Sequence, residues 1–512
     1  MKIKYIKCIV LSTILSLGAC STDYLDTTPT NQTSPSNVFK STETVAMAIN
    51  GLAKLMTAQH IGQGYNGEGT IKLYFGEYPG NNFRKDVSAS IANLENIENT
   101  NSSLNAYPWH YYYMLITNAN DIIANVDGAE GPINDKKYLK AQALAYRSFA
   151  YTMLIQIYGN RWLDSNNGET KSVVLRLSPN DPKELPLSLL KDVYVQIYKD
   201  LDLAIQLFGE SGYKREASKN YFVDSSVAHA IYARAALNKQ DYAVALREAG
   251  LAKKDYPLMS TTAYKAGFGN PTSEWIWSSY GAADEQLHYY SYGAYMAYNS
   301  NAGAVRNTPS RISKEFYETI PTSDIRKELF IDPAGYPTKE YNEDTGLTVA
   351  KSQLDKDIRV KYPDIQGDAK TAAYMQVKVK NNTNPGVMHL NHFRSSEMYL
   401  IEAEALHFLG RDGESAKVLE ALTKESGRDV NYSCIKVGDD LFKEIVKYRG
   451  IELWGEGFDW FDYKRWNLTI EKKLGSKGGN ASPTFARKFT PEMNNKWTWR
   501  IPKAESDYNP NI

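Results

Sequence analysis

Two stretches far apart in this chain repeat one scheme, and that scheme limits the fold more than any other feature. Ser225 to Lys254 reads SSVAHAIYARAALNKQDYAVALREAGLAKK. Two Ala-rich segments with apolar residues at helical spacing meet at Asn238-Lys239-Gln240-Asp241. Ala230, Ala233, Ala243 and Ala249 are small enough to let the two helices pack closely. Glu397 to Leu422 reads EMYLIEAEALHFLGRDGESAKVLEAL, with its turn at Gly410 to Gly413. A helix hairpin buries its apolar face only against a neighbour, so hairpins of this kind stack side by side. A mainly α scaffold is therefore expected.

Further helices join that array. One is expected after a cap at Ser41 or Thr42, with Val45, Ala48, Ile49, Leu52, Leu55 and Met56 on one face. Others run from Trp109 to near Gly128, from Tyr138 to Tyr158 with Gly159 as C-cap, and from Pro186 to Phe208. Their spacing is irregular, so the scaffold must carry loop-rich insertions, about residues 58–105 and 256–391. A region over 41–512 then reads as one domain.

Both insertions are rich in aromatics, and the chain as a whole has 37 Tyr, 16 Phe and 9 Trp in 512 residues. In the first, Tyr65, Tyr74, Phe75, Tyr78 and Phe83 are interleaved with Gly, Asn, Glu77, Arg84 and Asp86. The second opens on Trp275-Ile276-Trp277, a strand candidate, and continues into YGAADEQLHYYSYGAYMAYNSNAGAVR over Tyr280 to Arg306. Tyr374 to Val379 (YMQVKV) alternates as a strand would. Trp109, Trp275 and Trp277 lie on periodic or strand-like segments and are expected in the core. Long aromatic loops held by a rigid scaffold are commonly functional.

The start of the chain is an export address. Lys2, Lys4 and Lys7 precede a short apolar run from Cys8 to Leu17, and Leu17-Gly18-Ala19 supplies small residues before Cys20. The run falls well short of the roughly 20 residues a membrane helix needs. Leu-Gly-Ala-Cys resembles a bacterial lipobox. Residues 1–19 are thus expected to be a signal peptide, Cys20 the lipidated new N-terminus, and residues 20–40 a polar tether.

Composition excludes several classes. Lys plus Arg number 59 and Asp plus Glu 59, so nothing points to nucleic acid or a polybasic membrane surface. The cysteines are Cys8, Cys20 and Cys434; with the first removed and the second acylated, Cys434 has no disulfide partner. No zinc spacing, phosphate loop or Gly-X-Ser-X-Gly elbow is present, and no catalytic residue or metal ligand is assigned.

Four segments in order resemble the SusD/RagB family of outer-membrane nutrient-binding lipoproteins. Cys20 followed by Asp23-Tyr24-Leu25-Asp26 and Pro29 is similar to the family's mature start. Leu400 to Leu409 resembles its "AEAL" helix, YRGIELWGEGFDWFDYKRW over Tyr448 to Trp466 its charged signature, and Ile501 to Glu505 with Asn509-Pro510 its closing segment. Tyr448 departs from the family's frequent Glu, and Phe458-Asp459 from its frequent Arg. The paired helices resemble tetratricopeptide hairpins without the full consensus. Charges spaced three and four apart between Leu453, Trp454, Trp460 and Trp466 read as structural ion pairs.

The resemblance implies a SusD-like fold. It also implies a glycan-binding protein at the cell surface, lipid-anchored in the outer membrane, that hands its ligand to a SusC-like TonB-dependent transporter. No cofactor is implied, and a structural calcium is left open. Sugar rings present CH faces to aromatics and hydroxyls to polar side chains. Two candidate patches fit: Tyr78, Asn81, Phe83, Arg84 and Asp86, and Tyr289, Tyr290, Tyr292, Tyr295 and Asn299. Arg84, Lys85 and Arg306 offer contacts to an acidic sugar. The rival readings are a glycosidase using Glu77 with Asp86, or Asp284 with Glu285, and a helix-repeat scaffold that binds protein partners only.

Overall fold

A computed structural model describes residues 38–512 except 63, 88–93, 217 and 284–287. The signal peptide, Cys20 and most of the tether lie outside the described residues.

Helix α1 (Thr42–Leu55) opens on Ser41, whose side chain accepts from the Thr44 amide while the Thr44 hydroxyl takes the Ser41 amide, a reciprocal cap. Its face of Val45, Ile49 and Leu52 packs on α2 (Ser103–Asn125) and α3 (Ile133–Tyr158). Next come α4 (Leu190–Ser211), α5 (Ser225–Lys239) and α6 (Tyr242–Lys253). Each packs on its predecessor from α2 onward. The fourth helix starts later than Pro186 because Ser188 is taken up in backbone hydrogen bonds with Ser172 and Val173 (2.9 Å each).

The two hairpins behave as their small residues require. Gln240 closes α5 in the left-handed region, and α6 follows at once. Gly410 (φ 73°) turns the chain between α8 (Ser395–Phe408) and α9 (Asp412–Glu420). Although α7 (Gln353–Lys361) and the whole second insertion separate them in sequence, α6 packs directly on α8. Ala230, Ala233, Ala249, Ala403 and Ala405 are fully buried. Ala243 is exposed and Ala245 occupies the buried position instead. Arg234 of α5 clamps Glu397 of α8 with two bonds of 2.8 Å and lies 3.7 Å from the centre of the Phe393 ring.

Strands are short and antiparallel. β1 (Phe83–Arg84) pairs with β3 (Arg311–Ile312), so the first insertion is stitched to the second. β2 (Trp275–Ser279) pairs with β4 (Leu390–Arg394), which runs straight into α8. β5 (Ile470–Glu471) pairs with β6 (Lys488–Phe489). Trp109, Trp275 and Trp277 are core residues, as expected. Tyr374 to Val379 forms only isolated bridges and no strand. Both of its faces are buried, and its polar side chains turn inward: Gln376 donates to the Met296 carbonyl and Lys378 to Glu456 (2.6 Å each).

Helices α10 (Gly438–Glu452) and α11 (Asp459–Trp466) carry the charged signature. It is structural. Glu452 is fully buried and meets Arg394 (2.6 Å), Arg326 (2.8 Å) and Arg428 (3.0 Å). Glu456 meets Arg394 (2.8 Å) and Lys378 (2.6 Å), and Glu274 holds Arg394 from the other side (2.9 Å). Burial works against ionising Glu452, but the guanidiniums of Arg428, Arg394 and Arg326 outweigh it and hold its carboxyl well below the usual range. Arg449 pairs with Asp462 at 2.7 Å. This network ties the β2–β4 pair, through Glu274 and Arg394, and the Lys378 segment to the closing helices.

Candidate functional site

The first insertion is more ordered than its composition suggests. A helical turn, Gly67–Thr70, runs into a π-helical stretch, Ile71–Glu77, whose wider winding is sealed by a bond from the Tyr78 amide to the Leu73 carbonyl (2.8 Å). π-helical turns recur at functional sites because they reorient side chains. Here Leu73, Phe75 and Tyr78 point inward, while Tyr74 stays half-buried at the surface. Gly76 makes this seat possible: a Cβ there would fall 2.3 Å from the Gly457 carbonyl oxygen.

Below the stretch, Glu77 is fully buried and accepts from the amides of Gly457 (2.6 Å) and Phe458 (3.2 Å). Asp459 accepts from the Asn82 backbone (2.6 Å) and side chain (3.1 Å). Burial, then the charge of Asp459, raise Glu77; burial likewise raises Asp459. Lys72 donates to the Glu456 carbonyl (2.9 Å), and burial pushes its pKa down to about 8.

The second insertion is brought alongside. Ser291 caps the short helix Tyr292–Met296 and donates to Gly386 (2.9 Å). Asn66 donates to the Tyr290 carbonyl. Lys85 donates to the carbonyls of Tyr295 (3.2 Å) and Thr308 (2.6 Å), with its pKa pushed down by burial to about 7. The outcome is one cluster of rings. Tyr74 lies 6.4 Å from Tyr65 and 6.4 Å from Tyr295, both edge-on, and Tyr295 lies 6.5 Å from Tyr290. Tyr65, Tyr74, Tyr290 and Tyr295 are all partly exposed, and Tyr289 beside them is 57% exposed. Burial and the facing Tyr295 phenol hold Tyr74 neutral at any physiological pH.

The two sequence patches thus meet, through a residue neither contained. Tyr78 (5.4 Å from Tyr74), Phe83 and Tyr292 are buried and serve as the underside of the cluster. Phe83 stacks on Trp454 at 5.0 Å, and the Tyr292 hydroxyl donates to the Gly455 carbonyl. Burial removes these three as solvent-facing surfaces for a sugar. Asn81 is taken by the Glu471 amide (2.9 Å) and Asn299 by Asn381. Arg84 is buried, bonded to the Asn81 carbonyl (2.7 Å) and paired with Glu315 (3.5 Å); Asp86 pairs with Arg311 (3.4 Å), and Arg306 pairs with Asp368. Of the charges suggested for an acidic ligand, Arg84 and Lys85 are therefore spent on the fold, and Arg306 is held in a surface ion pair. The glycosidase pair Glu77 and Asp86 is likewise committed, and Asp284 and Glu285 lie outside the described residues. Tyr65 and Tyr74 were visible in sequence as aromatics in an irregular stretch; only the π-helical turn singles out Tyr74, and the ring contact with Tyr74 singles out Tyr65. Among the described residues, no group of three or more His, Cys, Asp or Glu is placed to hold a metal ion.

Residues 240–512 match the profile of the SusD family. The chain belongs to the SusD family. Residues 23–237 match a second profile of SusD-like proteins, described as starch-binding and associating with the outer membrane. Two SusD-like proteins of Formosa agariphila are similar over nearly the whole chain. P38 is 24% identical, covering 90% of this chain and 91% of its own, and P2 is 22% identical, covering 98% and 96%. A SusD-like carbohydrate-binding protein of Bacteroides vulgatus has the same fold, with a TM-score of 0.75 at 21% identity over 92% of this chain and 97% of that one. A SusD superfamily protein of Bacteroides thetaiotaomicron aligns with a TM-score of 0.72 at 22% identity, covering 92% and 99%. In this SusD-family chain Tyr448 and Phe458 stand at the two departures in the signature. Tyr448 packs on Tyr432 (4.5 Å), and Phe458 lies under Arg449 (5.3 Å).

Proposed function

We propose that this SusD-family protein captures a glycan on the Tyr65, Tyr74, Tyr289, Tyr290 and Tyr295 platform and passes it to a SusC-like TonB-dependent transporter. One observation carries the reading: two aromatic insertions, distant in sequence, converge on a partly exposed row of tyrosines over a rigid, charge-locked base. Edge-on and tilted rings offer stacking faces for successive sugar units, and phenol hydroxyls offer hydrogen bonds. Cations and carboxylates beside the platform are buried or paired, which favours a neutral glycan over an acidic one. The carbohydrate-binding function of the Bacteroides vulgatus relative supports the ligand class. In this reading no bond is made or broken: of the carboxylate pair suggested for a glycosidase, Glu77 accepts from the amides of Gly457 and Phe458 and Asp86 pairs with Arg311.

Anchoring is through Cys20, which lies outside the described residues; the body itself begins before α1, where Phe39 packs on the core and the Lys40 carbonyl accepts from the Glu130 amide (2.8 Å). No helix among the described residues is long and apolar enough to cross a membrane, which fits a tethered body. A glycan array on the mature protein tests the reading, followed by Tyr74→Ala and Tyr295→Ala. Each change is expected to weaken binding about tenfold without changing the circular dichroism spectrum. Undiminished affinity in both variants puts the glycan on another face, and release of shorter sugars during incubation makes the protein an enzyme.

A further inference from the structure

Away from the platform, the second insertion lines an open cleft of about 330 Å3 that shares no lining residue with it. This size falls in the range of small-molecule sites, roughly 300–1,000 Å3. Its floor is apolar and buried: Phe330, Ile331, Leu354 and Ile358. Three tyrosines, Tyr317, Tyr336 and Tyr362, stand around that floor. Tyr336 is fixed by donating to Asp357 (2.8 Å), whose other oxygen accepts from Gln353 (2.7 Å). Lys327 is fixed by donating to the Ile320 carbonyl (2.8 Å) and sits 4.7 Å from the centre of the Tyr317 ring. At the rim, Lys361 lies 5.4 Å from the Tyr362 ring centre, and Asp332 is exposed.

We propose that this cavity is a second saccharide site, taking a short run of neutral sugar units. The proposal rests on reading the protein as a glycan binder and adds a separate point of capture. The chemistry selects the ligand. Ring faces over an apolar floor suit the CH face of a pyranose. Carboxylates accept from its hydroxyls and ammoniums donate to them. Both signs of charge line the rim, so an anion meets Asp332 and Asp357, a cation meets Lys327 and Lys361, and a neutral polyol meets neither penalty. Tyr362 also touches Tyr298 (5.9 Å), which lies three residues beyond Tyr295 of the platform.

The test separates the two sites by ligand length. Saturation-transfer NMR with maltose, cellobiose, laminaribiose, xylobiose and mannobiose reads the cavity. Affinity electrophoresis in gels containing starch, laminarin, xylan or mannan reads the platform. At least one disaccharide should bind the wild type and Tyr74→Ala alike, and bind Tyr362→Ala and Asp357→Asn about tenfold more weakly. Asp357→Asn keeps the shape of the side chain, so its effect does not depend on the fold surviving a large truncation. Disaccharide binding that ignores both cavity variants, or no disaccharide binding beside normal polymer retardation, overturns the cavity proposal and leaves the platform standing. Disaccharide binding lost in the cavity variants without any polymer retardation keeps the cavity and sinks the platform reading. No binding of either kind overturns both.

Discussion

Replacing Glu77 by Gln should make the protein more stable at neutral and alkaline pH and flatten its pH dependence. The Glu77 carboxyl has no exposed surface and takes two amide bonds through one oxygen, while its other oxygen has no partner. Burial and the neighbouring Asp459 raise its pKa, and burial raises that of Asp459 as well. In the unfolded chain both groups ionise in the ordinary carboxylate range, near pH 4. The folded state therefore binds more protons than the unfolded state from that range up to the raised values. By linkage, the stabilisation is complete below the unfolded pKa and is lost as pH rises through the folded one.

A tenfold change in an acid's ionisation constant between the unfolded and folded states corresponds to about 1.4 kcal/mol. Gln keeps a carbonyl oxygen for the Gly457 and Phe458 amides and cannot ionise. At about pH 8 the variant should exceed the wild type by roughly 1–3 kcal/mol, and at about pH 4 the two should agree to within about 1 kcal/mol. Urea unfolding followed by circular dichroism across that range measures both. Parallel pH profiles for wild type and variant, or a variant less stable at alkaline pH, would refute the argument from burial.

Three further outcomes follow from the same geometry. Gly76→Ala places a Cβ 2.3 Å from the Gly457 carbonyl oxygen; it should cost roughly 1–3 kcal/mol and weaken glycan binding, and an unaltered urea midpoint contradicts the close approach. Glu452→Gln leaves Arg394, Arg326 and Arg428 short of their shared carboxylate; a loss of about 3–5 kcal/mol is expected, and a loss below about 1 kcal/mol would mean the network is dispensable. Cys20→Ala should abolish metabolic labelling with a fatty-acid analogue and release the protein from the membrane fraction; label that persists in the variant places the lipid elsewhere.

Much of the scaffold was legible along the chain because helical packing writes a local pattern. The apolar spacing of Val45, Ile49 and Leu52, the caps at Ser41 and Gly159, and the turns at Gln240 and Gly410 each follow from residues within a few positions of one another. The charged signature was also readable as structural, since carboxylates and guanidiniums between Trp454, Trp460 and Trp466 need partners if that apolar face is buried. Tyr374 to Val379 misled because alternation marks a strand only when one face meets solvent; here both faces are covered.

The site was readable only as two tyrosine-rich segments. Which rings face solvent depends on the π-helical turn, on the fit of Gly76 against Gly457, and on Lys85 reaching the Tyr295 carbonyl across 210 residues. None of these leaves a periodic trace, because each is a contact between segments that sequence does not align. Sequence alone determined the helical scaffold and the tyrosine excess of the two insertions, both of them local chemistry. Tertiary structure alone decided that Tyr78, Phe83 and Tyr292 are buried support and that Tyr65, Tyr74, Tyr290 and Tyr295 form one surface, because burial is a property of what packs against a residue from elsewhere in the chain.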